Sequence, residues 1–131
     1  MPYDSHSRAF TLLEVLVALA IFASVAAVVL TAVSRSLYNA EQLELKTLAG
    51  WIADNRLNEL QLTQPTPEEG SETQRVEYAG LVWEVRSEVV NTAQSGIRRV
   101  ELWVALQAES GKLQSVQERS VLGLTGFVKV R

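Results

Sequence analysis

The chain has 131 residues, enough for a single domain once an apolar N-terminal stretch is set aside. Its 12 basic and 15 acidic residues give a formal charge of −3 and form no basic stripe, which argues against nucleic acid as a partner. The sequence has no cysteine, so it excludes disulfides, zinc–thiolate sites and a cysteine nucleophile. Because His6 is the only histidine and no Gly-rich phosphate loop occurs, we expect no enzymatic activity, cofactor or metal.

The first predicted element is an uncharged apolar stretch, residues 15–33, in which only Ser24 and Thr31 are polar. As a helix it would measure about 28 Å, close to the roughly 30 Å thickness of the hydrocarbon core of a bilayer. The stretch therefore predicts a membrane span. A buried helix of a soluble domain is the alternative, but a domain this small could hardly surround such a helix.

A cleaved secretory signal peptide is a second alternative, because Ala18-Leu19-Ala20 has the small-x-small form of a cleavage site. The apolar region of a signal peptide would normally end there, whereas this one continues to Val33. The flanking charges, Arg8 with Asp4 on one side and Arg35 on the other, do not determine which side is cytoplasmic.

An ionisable residue, Glu14, lies at the edge of the apolar stretch, where a carboxylate is costly unless it has a partner or lies at headgroup depth. The segment from Arg8 to Val15 resembles the processing motif of type IV pilins and pseudopilins. In that motif a short polar leader is cut just before a Phe, and a Glu follows four residues later.

The resemblance implies that a prepilin peptidase cleaves between Ala9 and Phe10, removes the leader 1–9 and methylates the new amine of Phe10. It also implies that Glu14 pairs with the terminal amine of a neighbouring subunit, which would supply the opposite charge in a low-dielectric setting. The residue before the cut is usually Gly in this family, and Ala9 departs from that pattern.

The helical pattern continues beyond the apolar stretch, since neither Gly nor Pro occurs between Phe10 and Ala49. A breaker cluster at 65–70 ends it. Seven apolar residues recur at three- and four-residue spacing and form one stripe: Leu45, Leu48, Ala49, Ile52, Ala53, Leu57 and Leu60. The sequence predicts one helix of about fifty residues, whose second half covers a sheet.

The remaining chain alternates as strands do. Residues 83–89 and 100–107 each place apolar side chains on one face and wetter ones on the other. Turn signals occur at 91–96 and 109–112, and short loops of this kind imply antiparallel pairing.

The second turn signal predicts a hairpin from Ile97–Ala108 into Leu113–Leu122. We expect the apolar tail Leu122–Val130, with Phe127, to close the sheet. The predicted fold class is α+β and pilin-like: one long N-terminal helix, membrane-spanning in its first half, packed by its second half on a small antiparallel β-sheet.

Residues 48–60, Leu-Ala-x-Trp-Ile-Ala-x-Asn-Arg-Leu-x-Glu-Leu, are similar to the I-type minor pseudopilin of the general secretion pathway. The apolar opening 11–23 and the segment Leu-Thr-Gly-Phe-Val at 124–128 resemble it too. The resemblance implies a subunit of the type II secretion pseudopilus in a Gram-negative bacterium. Segment 10–33 would cross the inner membrane once, and 34–131 would form the periplasmic domain.

Such a subunit would assemble with J- and K-type minor pseudopilins, and with the H-type, at the filament tip to support export of folded proteins across the outer membrane. The resemblance implies that Trp51, Asn55 and Arg56 form a partner-facing helix surface. A plain helix surface, with Trp51 packed against a loop, is the alternative from the residues alone.

Two other functions remain open. A minor pilin of a type IV pilus could have a nearly identical N-terminal segment, and only residues 51–60 and the lack of cysteines argue against it. A membrane-anchored periplasmic enzyme or binding module would leave the spacing of Phe10 and Glu14 unexplained.

A calcium site is the one metal-binding alternative. Glu68, Glu69 and Glu72 form an acidic cluster. The family resemblance implies that such a cluster could bind calcium, as loops of major pseudopilins do. However, Asp54 is the only aspartate after the leader and belongs to the predicted helix, so we expect a solvated loop instead.

Overall fold

The computed structural model describes residues 10–108 and 114–130. The predicted leader 1–9 with Ala9, the turn signal at 109–112 and Leu113 lie outside the described residues. The elements are one helix and four strands: α1 Leu12–Leu62, β1 Gly70–Tyr78, β2 Leu81–Asn91, β3 Ile97–Leu106 and β4 Leu122–Lys129. The predicted α+β pilin-like fold is confirmed. The chain divides into two units, Met1–Glu41 and Gln42–Arg131, each described below by itself.

Helix α1 has 51 residues and begins with a side-chain cap. The hydroxyl oxygen of Thr11 accepts a hydrogen bond from the backbone N–H of Glu14 at 3.2 Å, which satisfies one of the free donors of the first turn. The helix ends at Leu62, just before the Gln64–Pro65 peptide, since proline cannot donate to the helical ladder and restricts the residue before it. The predicted helix is confirmed at both ends.

The described part of the first unit exposes its large apolar side chains. These are Phe10, Leu12, Leu13, Val15, Leu16, Val17, Leu19, Ile21, Phe22, Val25, Val28, Val29, Leu30, Val33, Leu37 and Tyr38. An apolar surface of this extent needs lipid or neighbouring chains to cover it. By length and composition the helix is able to cross a membrane.

The second unit contains a four-stranded sheet in the order β1-β2-β3-β4, and every neighbouring pair is antiparallel. A two-residue turn joins β1 to β2, with positive φ at both Ala79 and Gly80. Such turns match the twist of the strands they connect. Strand β1 was not predicted.

The predicted hairpin from Ile97–Ala108 into Leu113–Leu122 is wrong. Strand β3 pairs instead with β4, and Val104 lies opposite Leu122 at the start of β4. Residues 114–121 instead form a turn. Ser115 and Glu118 hold it through two reciprocal hydrogen bonds, from the Glu118 N–H to the Ser115 hydroxyl and from the Ser115 N–H to the Glu118 carboxylate.

The core lies between the second half of α1 and one face of the sheet. Its most buried large side chains come from three strands: Trp83, Val85, Val100, Leu102, Val104 and Val128. From the helix, Ala49, Ile52, Ala53 and Leu60 are buried, and Leu45, Leu48 and Leu57 pack against them. The predicted apolar stripe is therefore confirmed.

The tail 122–130 supplies the edge strand β4, as predicted, but Phe127 does not enter the core. Its side chain is 56% exposed, whereas Gly126 and Val128 take the buried positions on either side of it. Successive residues of a strand point to opposite faces, so Phe127 faces away from α1.

We expect Gly126→Ala to lower the free energy of unfolding by about 1–3 kcal/mol, because a side chain here overpacks the contact with α1. A Cβ at this position would lie 2.5 Å from Cδ2 of Leu57. In a Leu57→Ala background the added cost of Gly126→Ala should largely disappear. Urea unfolding of the fragment from Ser34 onward measures both values.

Gly123→Ala is the matched control, since its Cβ would make only an ordinary 3.7 Å contact with Cδ1 of Trp103. Equal costs at Gly123 and Gly126, or an unchanged cost without the Leu57 side chain, would contradict the close approach of helix and strand.

Candidate processing and partner-binding sites

The N-terminal candidate site comprises Phe10 and Glu14. Phe10 precedes α1 and is exposed, and Glu14 lies in the first turn of the helix with its side chain exposed. Within residues 10–108 and 114–130, no basic group pairs with the Glu14 carboxylate. The carboxylate is thus available to a group from outside the described chain.

The second candidate site lies in the second unit, where α1 passes strand β1. Trp51, Asn55 and Arg56, the predicted partner-facing residues, come together there. With Ile52 and three residues of β1 they line a cavity of about 360 Å³, the strand residues being Gln74, Val76 and Tyr78. The structure thus places the three predicted residues at one site.

The three residues differ in exposure. Trp51 is 57% exposed and Asn55 is also exposed, so both are open to a partner. The side chain of Arg56 is only 12% exposed, and its guanidinium bridges two carboxylates, with 2.8 Å to Glu59 and 2.7 Å to Glu72. Glu72 belongs to β1, so Arg56 connects the helix to the edge strand and leaves no free positive charge on this surface.

The carboxylates of the acidic cluster 68–72 do not come together in one site. Glu72 is paired with Arg56, and the carboxylate of Glu69 accepts a hydrogen bond of 2.9 Å from the side-chain amide of Asn91. In the part of the chain that the structure describes, no three residues of the His, Cys, Asp or Glu types are grouped as a metal site would require.

Sequence reasoning missed Gln74, Val76 and Tyr78. The signal was present, since these residues alternate with the polar Arg75 and Glu77 as in a half-buried strand. The alternation is weak because Gln74 stands at one of the inward positions.

The chain matches the family described as "Type II secretion system (T2SS), protein I" over residues 43–129, more than half of its length. The chain belongs to this family. A second match, to the prokaryotic N-terminal methylation motif, covers residues 4–30 and includes the predicted cleavage site at Ala9 and Phe10.

Curated relatives agree with this family. Type II secretion system protein I of Pseudomonas aeruginosa is 56% identical, over 94% of this chain and 95% of the relative. The protein of the same name from Escherichia coli is 38% identical, over 82% of this chain and 89% of the relative. The protein of the same name from Vibrio cholerae is 37% identical, over 86% of this chain and 93% of the relative. The predicted I-type minor pseudopilin family is confirmed, and a type IV pilus subunit is not favoured.

Proposed function

We propose that this minor pseudopilin matures by cleavage between Ala9 and Phe10 and by methylation of the amine of Phe10. Segment 10–33 then anchors it in the inner membrane by a single pass, with 34–131 in the periplasm. There it serves as a structural subunit of the type II secretion pseudopilus and assembles with J- and K-type minor pseudopilins, and with the H-type, at the filament tip.

One observation carries this proposal: the methylation motif and the protein I family both match this chain, over 4–30 and 43–129. The exposed apolar side chains of 10–33 support the anchor. Glu14 supports assembly, because a carboxylate within lipid is costly and a neighbouring terminal amine offsets that cost. The exposed Trp51 and Asn55, beside the Arg56 bridge, support a partner surface on α1.

The test is the intact mass of the full chain extracted from membranes of a secretion-competent bacterium. We expect a mature chain that starts at methylated Phe10. Ala9→Gly should mature at least as completely, whereas Ala9→Trp should block cleavage, because the peptidase reads a small residue before the cut.

An assembled chain that still starts at Met1, or one that starts near Ile21, would contradict the processing step. Normal maturation of the Ala9→Trp chain would do the same. Both outcomes are independent of the periplasmic domain, which neither variant alters.

A further inference from the structure

The face of the sheet that points away from α1 carries an outer corner, defined here as Ile97, Arg99, Phe127 and Lys129. In the register of β3 and β4, Ile97 lies opposite Lys129 and Arg99 lies opposite Phe127. The four residues alternate with positions that face α1, such as the buried Val128, so their side chains share the outer face. The corner therefore places two apolar and two basic side chains at neighbouring positions.

The apolar half of the outer corner is open. Phe127 is 56% exposed within residues 10–108 and 114–130. Together with Ile97, Val130 and the turn at 95–96, it lines a cavity of about 420 Å³. A large aromatic side chain at the rim of a cavity is typical of the anchors that dominate binding between proteins.

The basic half of the outer corner is available for an acidic group. In the described part of the chain, Lys129 forms no ion pair. Arg99 contacts Glu101 through its Nε, at 3.0 Å, but both side chains are partly exposed, and such pairs contribute little stability. Diagonal neighbours of a sheet are about 7–8 Å apart, within reach of long side chains. Arg99 and Lys129 can therefore meet the same carboxylate or two adjacent ones.

These charges select the occupant of the outer corner. Two copies meeting corner to corner would bring basic side chains together, which is unfavourable. A broad anionic surface, such as a lipid membrane, would also reach Glu88 and Glu101, which lie opposite each other on the same face. A narrow acidic segment of a protein avoids both conflicts.

The free edge of β4 favours recognition through side chains over the addition of a further strand. The carbonyl of Phe127 accepts a hydrogen bond of 3.1 Å from the side-chain amide of Gln61, and that of Lys129 accepts one of 3.3 Å from the Thr66 hydroxyl. An added strand would compete for both carbonyls. The same two bonds tie this end of β4 to the end of α1 and the loop after it, so the outer corner is held in place before a partner binds.

We propose that the outer corner binds an acidic segment of a different protein, with Asp or Glu against Arg99 and Lys129 and an aromatic or aliphatic side chain against Phe127. This inference rests on the proposed function in one respect: α1 serves assembly, and the opposite face of the sheet stays open. The partner therefore approaches from the side of the domain away from α1.

The experiment uses the full chain in a secretion-competent strain that lacks the native copy. A photo-crosslinking p-benzoylphenylalanine is placed at position 125, which is exposed on the outer face of β4 beside Phe127. A control chain carries it at position 73, which is exposed on the far strand β1. We expect position 125 to crosslink to a different protein, at a peptide that contains Asp or Glu. A crosslink only to a second copy or to lipid, or no more product than position 73 gives, would overturn the proposal.

Variants of the chain with the crosslinker at position 125 test the chemistry. Lys129→Glu should lower the crosslink yield at least about threefold, and its combination with Arg99→Glu at least about tenfold, because attraction becomes repulsion. Phe127→Ala should lower the yield at least about fivefold, since it removes the anchor. All three side chains are exposed, so the core is not altered. An unchanged yield in any of these chains would refute the proposal.

A matched control combines Lys46→Glu with Arg75→Glu, two exposed residues outside the corner, and changes the net charge by the same amount. Its yield should stay within about twofold of the unsubstituted chain, and an equal loss would show a general effect of charge that refutes the corner. The decisive arm changes the carboxylates of the crosslinked partner peptide to Lys. With the chain that carries Glu at positions 99 and 129, this change should restore at least about half of the yield. No recovery would contradict pairing at the corner.

Secretion in the same strain separates this inference from the proposed function. If the unsubstituted chain does not restore secretion, the proposed function fails. If it restores secretion but the crosslink at position 125 does not respond to the charges at 99 and 129, only the inference about the outer corner fails.

Discussion

Trp83→Ala is expected to remove most of the stability of the periplasmic domain, lowering its free energy of unfolding by about 3–5 kcal/mol. Trp83 is fully buried on β2, and its indole N–H donates a hydrogen bond of 3.2 Å to the carbonyl of Tyr78. Truncation would leave a large cavity and remove this hydrogen bond. The whole free energy of unfolding of a small domain is only about 5–15 kcal/mol.

Trp103→Ala is the matched control, because Trp103 lies on the adjacent strand β3 but on the other face of the sheet. It is partly exposed beside Gly123, so its truncation should cost far less than that of Trp83. Urea unfolding of the fragment from Ser34 onward measures both. Similar losses for the two tryptophans would show that the core does not lie on the helix-facing side of the sheet.

The helix and the two central strands could be predicted because their signals are local and periodic. The breaker at Pro65 predicts the end of α1, and the structure ends the helix just before it. The alternation from Trp83 to Val89 is clear in the sequence because β2 has a neighbouring strand on each side. Central strands are buried on one face along their whole length, so their pattern is strong.

The edges of the sheet could not be predicted as well, for physical reasons. Strand β1 has only one neighbour and mostly exposed side chains, and its turn places Ala79, a residue that rarely takes positive φ, in the left-handed region. In the segment 114–121, local hydrogen bonds between Ser115 and Glu118 outcompete strand pairing. The signature Ser-x-x-Glu was visible in the sequence and would have indicated a turn.

The candidate sites divide in the same way. The processing motif around Phe10 is continuous in sequence, so it could be read directly. The cavity beside Trp51 forms only where β1 packs beside α1. The ion pair that joins them, between Arg56 and Glu72, connects residues sixteen positions apart, and no local pattern places Tyr78 near Trp51.

Two physical roles compete for Glu14. Thr11 and Glu14 have the spacing of a capping box, and the Glu14 N–H already bonds to the Thr11 hydroxyl. A negative charge in the first turn also complements the helix dipole, which is worth about 0.3–1 kcal/mol. The alternative is pairing with the terminal amine of an adjacent subunit, which requires the charge itself and acts only in the assembled filament.

We therefore expect Glu14→Ala to leave cleavage after Ala9 and membrane insertion intact but to abolish most secretion of a reporter exoprotein. The substitution removes a carboxylate whose cost in lipid is offset only by a neighbour, so the isolated subunit loses nothing while the filament loses a charge pair. Crosslinking of the subunit to its filament partners should fall together with secretion.

Glu14→Gln separates the two roles, because a glutamine can still accept and donate hydrogen bonds at this position of a capping box but carries no charge. If charge pairing is the role, Glu14→Gln should be as defective as Glu14→Ala, and Glu14→Asp should retain part of the secretion. If capping is the role, Gln should secrete normally, since it occupies this position in capping boxes as Glu does. Normal secretion by the Gln chain, at wild-type levels of mature protein, would assign Glu14 to the start of α1 and leave Ala9 and Phe10 as the functional residues of this segment.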